Sequence, residues 1–119
     1  MDALTEAQRV SLRRALEVLE GQLANAHEAS ADGAAPVDLD EPIGRISRMD
    51  AIAQQRMVEA SRASMQRRLQ QVRAALRRFE EDEYGVCVTC GEGVGLRRLE
   101  ARPEAAFCIA CQSDRERRQ

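Results

Sequence analysis

Aromatic residues are scarce in this chain. They make up 3% of its 119 residues, and tryptophan is absent. A wide globular core depends on large side chains, so this composition disfavours one. The only histidine, His27, lies amid Asn25 and Glu28 and is predicted to be a surface residue. Without a second histidine, no Ser/His or Cys/His nucleophile arrangement is visible, and we expect the protein not to be an enzyme.

The chain also lacks a long apolar run and an excess of positive charge. No segment is long enough to span a bilayer, and the first residues, Met1-Asp2-Ala3, do not resemble a secretory signal. The formal net charge of −2 argues against a protein held on DNA by phosphate neutralisation. Four cysteines without an export signal favour a reducing compartment. We therefore expect a cytoplasmic protein that binds neither membranes nor specific DNA sequences.

Charged residues, by contrast, make up 32% of the chain, and Ala, Glu, Arg, Gln and Leu are abundant. This composition favours long helices with a narrow apolar seam. Thr5 and Gln8 form a plausible capping pair, which predicts a first helix over about 5–30. Its apolar residues recur at steps of four and three and define one seam. That seam consists of Leu12, Leu16, Leu19, Leu23 and Ala26.

A break in this pattern at about 31–44 predicts a loop, because Gly33, Pro36 and Pro42 interrupt it. A second helix is predicted over about 45–83, so that the two helices would form a hairpin roughly 40 Å long. Its apolar residues follow two phases, which a near-heptad pattern on a helix of 3.6 residues per turn can produce. The predicted seam is Ile43, Ile46, Ala53, Met57, Ala60 and Ser64, followed by Met65, Leu69, Val72, Leu76 and Phe79.

All four cysteines lie near the C-terminus in two CxxC pairs, Cys87/Cys90 and Cys108/Cys111. Two such turns can place four thiolates around one ion, and zinc prefers this ligand set in a closed structural site. Gly91 follows the first pair, where a tight turn favours a residue without Cβ. The pattern alone leaves open two disulfides, an iron centre with the same ligands, and a thiol oxidoreductase. We favour one structural zinc.

These elements predict a mainly α protein, an antiparallel coiled-coil hairpin with a small C-terminal four-cysteine zinc-finger module. The hairpin would comprise residues 1–84, with its loop at about 31–44. The zinc finger, with a C-terminal helical tail, would comprise 85–119. We expect a monomer.

Two phrases of the finger carry a resemblance to a known family. They are Tyr-Gly-Val-Cys-Val-Thr-Cys-Gly at 84–91 and Gly-Leu-Arg-Arg-Leu-Glu-Ala-Arg-Pro at 95–103. Both resemble the C-terminal zinc finger of the DksA/TraR family of bacterial transcription factors. The resemblance implies that the chain binds RNA polymerase through the secondary channel of the enzyme and modulates initiation. A coiled-coil adaptor that binds another protein or nucleic acid is the alternative.

The resemblance also implies an active tip on the hairpin. The usual acidic tip motif of the family falls here on Gly44, Ser47 and Met49, so the motif is missing. The acidic residues available for the role lie on either side, and they are Asp38, Asp40, Glu41 and Asp50. A tip of different sequence implies that channel binding is kept while the effect on initiation differs.

Family members that respond to guanosine tetraphosphate use basic residues at three positions. By spacing from the cysteines, these positions hold Arg102, Gln71 and Gln112 here. The resemblance therefore implies weak binding of this nucleotide, since two of three cations are missing. Arg97, Arg98 and Arg102 are the candidate contacts to nucleotide or polymerase.

Overall fold

The computed structural model describes residues 3–31 and 45–118, with the side chains of 45–47 left aside. Four helices lie in these ranges: α1 (Glu6–Ala29), α2 (Arg45–Glu80), α3 (Leu96–Ala101) and α4 (Ile109–Arg117). The predicted mainly helical fold is confirmed, and the molecule is elongated, with principal extents of 62 × 31 × 20 Å. Within the described residues, none of the helices is both long and apolar enough to cross a membrane.

The first helix begins where the capping pair predicted. The Thr5 hydroxyl accepts a hydrogen bond from the amide of Gln8 at 3.1 Å, and the Gln8 side chain accepts one from the amide of Thr5 at 2.9 Å. This reciprocal pair satisfies two amides that a helix start otherwise leaves unbonded. Leu12 and Leu16 are buried on the face toward α2, as predicted.

The two long helices pack antiparallel. Three ion pairs join α1 to α2 or to the turn that follows α2. The two residue numbers in each pair have a nearly constant sum, as expected for neighbours that run in opposite directions. All three pairs are partly exposed and should add little stability, about 0–1 kcal/mol each. They are Arg9–Asp82 at 3.0 Å, Arg13–Glu80 at 2.6 Å and Glu20–Arg73 at 3.1 Å.

The seam of α2 follows a single phase, which corrects the two-phase prediction. Leu69, Val72 and Phe79 are buried as expected. The same spacing continues through Met65 to Arg62 and Val58, which are all partly buried. The predicted seam residues Ala53, Met57, Ala60 and Ser64 are exposed instead. Ile43 and the side chain of Ile46 lie outside the described part of the chain.

Arg62 explains why the apolar pattern misled the prediction. It occupies a seam position, where its Nε donates to Ser30 Oγ at 2.9 Å and an Nη donates to the carbonyl of His27 at 3.4 Å. These acceptors lie at the C-terminal end of α1, where helical carbonyls lack partners and attract cations. Beside the end of α1, the seam position of α2 is therefore filled by a polar residue, although the prediction expected apolar residues along the whole seam.

The second helix ends at Glu80, three residues before the predicted end. Asp82 adopts a left-handed conformation with φ of 57°, and the amide of Glu83 donates to the carbonyl of Arg78 at 2.8 Å. This bond closes the last turn in the manner of a Schellman motif. The chain can then leave the helix axis and enter the finger.

One hydrophobic core connects the base of the hairpin to the finger. Phe79 of α2 stacks on Tyr84 with ring centroids 3.9 Å apart. The Tyr84 hydroxyl donates to the carbonyl of Pro103 at 2.8 Å, and Leu99 of α3 is fully buried beside these groups. The finger is therefore fixed to the hairpin by shared packing.

Candidate metal centre and the adjoining pocket

The first cysteine pair lies in a tight turn closed by backbone hydrogen bonds. Val86 and Gly93 form an isolated antiparallel bridge, and the amide of Cys87 donates to the carbonyl of Glu92 at 2.7 Å. Inside this loop the amide of Gly91 donates back to the carbonyl of Cys87 at 3.0 Å. Gly91 has a φ of 79°, a conformation that side chains with Cβ rarely adopt. The predicted role of this glycine is confirmed.

The second cysteine pair opens helix α4. Cys108 is the N-cap residue, with an extended backbone, and its sulfur accepts a hydrogen bond from the amide of Cys111 at 3.5 Å. This bond uses an amide of the first helical turn, where the amides lack partners within the helix. Serine, threonine and aspartate usually fill this capping role, so the Cys108 sulfur here serves the helix as well as a metal.

The four sulfurs converge on one point. They lie within 4.8 Å of one another, and Cys90 Sγ is 3.8 Å from Cys108 Sγ. Around a zinc ion with bonds of about 2.3 Å, tetrahedral sulfurs would lie about 3.8 Å apart. All four thiols are free, so the two disulfides left open by the pattern are not formed. Four protein ligands would leave no position for water or substrate, which makes the site structural.

The thiols influence each other electrostatically. Burial raises the pKa of Cys87, but hydrogen bonds from the backbone at Cys108, Cys90 and Thr89 outweigh this effect and lower it to about 6. Hydrogen bonding to the Cys108 thiol raises the pKa of Cys111 to about 12. Sulfurs this close cannot all ionise without a cation between them. A bound dication would supply that charge.

A pocket of about 150 Å³ lies beside this centre, between α2 and the finger. Arg98 lines it and donates from Nε to the carbonyl of Phe107 at 2.9 Å, while an Nη of Arg78 donates to the carbonyl of Ala105 at 3.5 Å. Burial lowers the pKa of Arg78. The polar lining residues are Gln71, Arg78, Arg98, Arg102, Glu104 and Gln112.

The finger sequence decides the relationship of this chain to known proteins. Residues 82–117 match the family model described as the prokaryotic dksA/traR C4-type zinc finger. The chain is also 31% identical over 115 residues to the RNA polymerase-binding transcription factor DksA of Escherichia coli K12, an alignment that covers 92% of this chain and 72% of that protein. This chain belongs to the DksA/TraR family.

Two further relatives agree with this assignment. The DksA of Caulobacter vibrioides is 43% identical over 65 residues, which cover 54% of this chain and 46% of that protein. The structure of transcription factor DksA2 from Pseudomonas aeruginosa superposes with a TM-score of 0.75 at 28% identity, over 95% of this chain and 86% of that one. A C4-type finger with four converging sulfurs confirms the prediction of one structural zinc.

The three arginines predicted from the DksA/TraR resemblance lie in different surroundings. Arg97 is exposed on α3 and lies outside the pocket. Arg98 is partly buried and lines the pocket. Arg102 is exposed at the pocket edge, and its Nη1 lies 3.8 Å from Glu104 Oε2. The structure also brings Gln71 and Gln112 to this pocket, so the three positions compared by spacing from the cysteines do converge.

Glu104 is a site residue that sequence reasoning missed. Its side chain is 3% exposed, and its Oε2 accepts a hydrogen bond from Arg68 Nε at 3.0 Å. The only signal in the sequence is an acid placed between Pro103 and two alanines in an otherwise apolar stretch. Charged residues are rarely buried unless they are paired, so that context alone could not place Glu104 inside.

The predicted acidic tip is only partly described. Asp50 is exposed on the first turns of α2. Asp38, Asp40 and Glu41 lie outside the described residues. Among the described residues, α1 ends level with Arg62, and α2 continues from there for seventeen further residues toward Arg45. Within the described residues, Asp50 therefore lies on the part of the hairpin farthest from the metal centre.

Proposed function

We propose that this chain is a non-enzymatic, cytoplasmic transcription regulator that binds RNA polymerase and modulates initiation. The observation that carries the proposal is its similarity to an RNA polymerase-binding transcription factor over 92% of its length. The agreement in fold with transcription factor DksA2 supports it. The elongated hairpin suits entry into the secondary channel of the polymerase, with the finger remaining at the rim.

The finger acts in this proposal as a rigid base. Cys87, Cys90, Cys108 and Cys111 are the proposed zinc ligands, because their sulfurs are the ones that converge. When bound, zinc supplies the charge that allows all four thiolates to form. We divide the chain into a hairpin at 1–84 and a zinc finger with its helical tail at 85–119. It acts as a monomer and reads no specific DNA sequence.

The tip residues Asp38, Asp40, Glu41 and Asp50 carry the effect on initiation in this proposal. Four carboxylates at the far end of a hairpin would act on basic channel walls or near a catalytic Mg²⁺, where a low dielectric strengthens charge effects. Guanosine tetraphosphate would bind only weakly, because Gln71 and Gln112 supply no charge. Arg97, Arg98 and Arg102 would then serve mainly as contacts to polymerase.

A variant of the tip tests this function. Replacing the four tip acids by Asn or Gln should leave zinc content and helicity unchanged, and should weaken co-purification with core RNA polymerase only modestly. The effect on a sensitive promoter in purified transcription should fall at least tenfold. The matched control neutralises four exposed acids elsewhere, Glu17, Glu28, Glu59 and Glu100. This control should regulate like the wild type.

Two results would contradict the proposal. Failure of the wild-type protein to co-purify with core polymerase would refute polymerase binding and would favour the adaptor alternative. Full regulation by the tip variant would leave polymerase binding intact but would remove the assigned role of the acidic tip.

A further inference from the structure

The pocket beside the metal centre has the charge of an anion site. Three guanidinium groups line its volume of about 150 Å³, those of Arg78, Arg98 and Arg102. Arginine forks match the geometry of phosphate oxygens, and several cations around a small concave surface attract multiply charged anions. By these cations alone, the pocket would bind a polyphosphate.

A carboxylate of the chain itself already neutralises part of this positive charge. Glu104 lines the same pocket and is 3% exposed on its side chain. Its Oε2 lies 3.0 Å from Arg68 Nε, in a hydrogen bond, and 3.8 Å from Arg102 Nη1, within ion-pair distance. The anion is covalently part of the finger and is buried, so a ligand cannot displace it as it would displace a solvent anion.

The hydrogen bonding of this carboxylate is incomplete. Within the described residues, neither Glu104 Oε1 nor Arg78 Nε has a hydrogen-bond partner, and both atoms are buried. A carboxylate kept solely to fasten the finger to α2 would be expected to use both oxygens, because a buried polar atom without a partner costs stability. The stability cost of leaving Glu104 Oε1 without a partner is explained if the negative charge of Glu104 has a role in the pocket.

We propose that Glu104 is a specificity-determining residue, a built-in anion that keeps polyphosphates from binding in this pocket. A phosphate entering beside Glu104 would meet like charge at short range in a partly desolvated space. Its attraction to Arg102 would also be reduced, since that guanidinium is already partly neutralised. This inference deepens the proposed weak response to guanosine tetraphosphate. Its test uses the protein without polymerase, so that its failure would leave polymerase binding untouched.

The decisive experiment measures binding of inorganic pyrophosphate to the zinc-loaded full chain by calorimetric titration. Glu104→Gln keeps the shape of the side chain and removes its charge, and should tighten binding at least tenfold. The matched control is Glu100→Gln, which removes an exposed carboxylate from α3, outside the pocket. The control should change the affinity less than twofold. Equal affinities of Glu104→Gln and wild type would overturn the proposal.

A second pair of variants shows where the anion binds. Adding Arg102→Ala to Glu104→Gln should abolish the gain, because Arg102 lines the pocket. Adding Arg97→Ala should leave the gain in place, because Arg97 lies on α3, close to Arg102 in the sequence but outside the pocket. A gain that survives the loss of Arg102 and disappears with Arg97 would place the anion elsewhere and overturn the assignment.

Folding is checked in the same samples by zinc content and helicity. If Glu104→Gln fails to hold zinc, Glu104→Ser provides the same loss of charge with a smaller side chain. A purely structural role predicts lower stability and no tighter binding in either variant, and that outcome would refute the proposal.

Discussion

At the scale of single residues, Cys108 combines two roles that are usually separate. It caps helix α4 and points its sulfur at the other three cysteines. Glu104 and Arg62 likewise combine charge with a buried or partly buried position. Each is compatible with the fold because a specific opposite charge or a helix end lies within hydrogen-bond reach. Amino-acid composition does not reveal such pairings. They nevertheless help to join the finger to the hairpin and the two helices of the hairpin to each other.

The two roles of Cys108 can be separated by replacing it with serine. Serine is a good N-cap residue, so α4 should still begin correctly while one thiolate is lost. Apparent zinc-binding energies of about 10–16 kcal/mol exceed the stability of most small domains. We therefore expect Cys108→Ser to lose zinc and finger structure but to keep much of the hairpin helicity, as measured by elemental analysis and circular dichroism.

The control for this change is Thr89→Ser, an exposed position within the first cysteine pair. It should retain one zinc per chain. Stoichiometric zinc in Cys108→Ser would show that the fourth ligand is not this sulfur.

At the scale of elements, the buried face of α2 differs from the face that its apolar residues predict. Its phase is set by Leu69, Val72 and Phe79, which are all buried. Val72 and Phe79 belong to the same core cluster as Leu12 and Leu16 of α1. A helix is stiff, so that phase extends to the rest of the element regardless of which apolar residues follow. Met57 is therefore 71% exposed, and Arg62 takes a seam position.

A matched pair of substitutions tests this phase. Leu69→Asp buries an unpaired charge and should lower the free energy of unfolding by about 3 kcal/mol or more. Met57→Asp makes the same chemical change at an exposed site and should alter it by about 0.5 kcal/mol or less. Urea denaturation followed by circular dichroism compares the two. Strong destabilisation by Met57→Asp would restore the two-phase seam.

At the scale of the whole molecule, the finger and the base of the hairpin share one core. Leu16 of α1 and Val72 of α2 belong to the same buried cluster as Tyr84, Cys87 and Leu99. Arg68 also reaches from α2 to the buried carboxylate of Glu104. Order in the finger should therefore stabilise the hairpin base, even though the four proposed zinc ligands all lie in the finger.

Removal of zinc by a chelator tests this coupling through amide hydrogen exchange. Amides around Leu16 and Val72 should lose protection, because packing from the finger is lost when its ligands are freed. Amides of α2 between about 48 and 61 should change little, since that stretch lies beyond the shared core. Unchanged protection at the base would show that the finger and hairpin are energetically independent.

Much of this protein was determined by its sequence alone. The capping pair at Thr5, the helical periodicity and the two CxxC turns depend on residues a few positions apart, and local backbone geometry is enough to define them. The mainly α fold and the single structural zinc followed from those signals, and the family followed from the resemblance carried by the finger phrases at 84–91 and 95–103. Only the tertiary structure decided the phase of α2, the position of Arg62 at the end of α1 and the burial of Glu104. Each of these depends on a partner more than thirty residues away. The free energy of a buried charge depends on that partner, and sequence spacing does not reveal it.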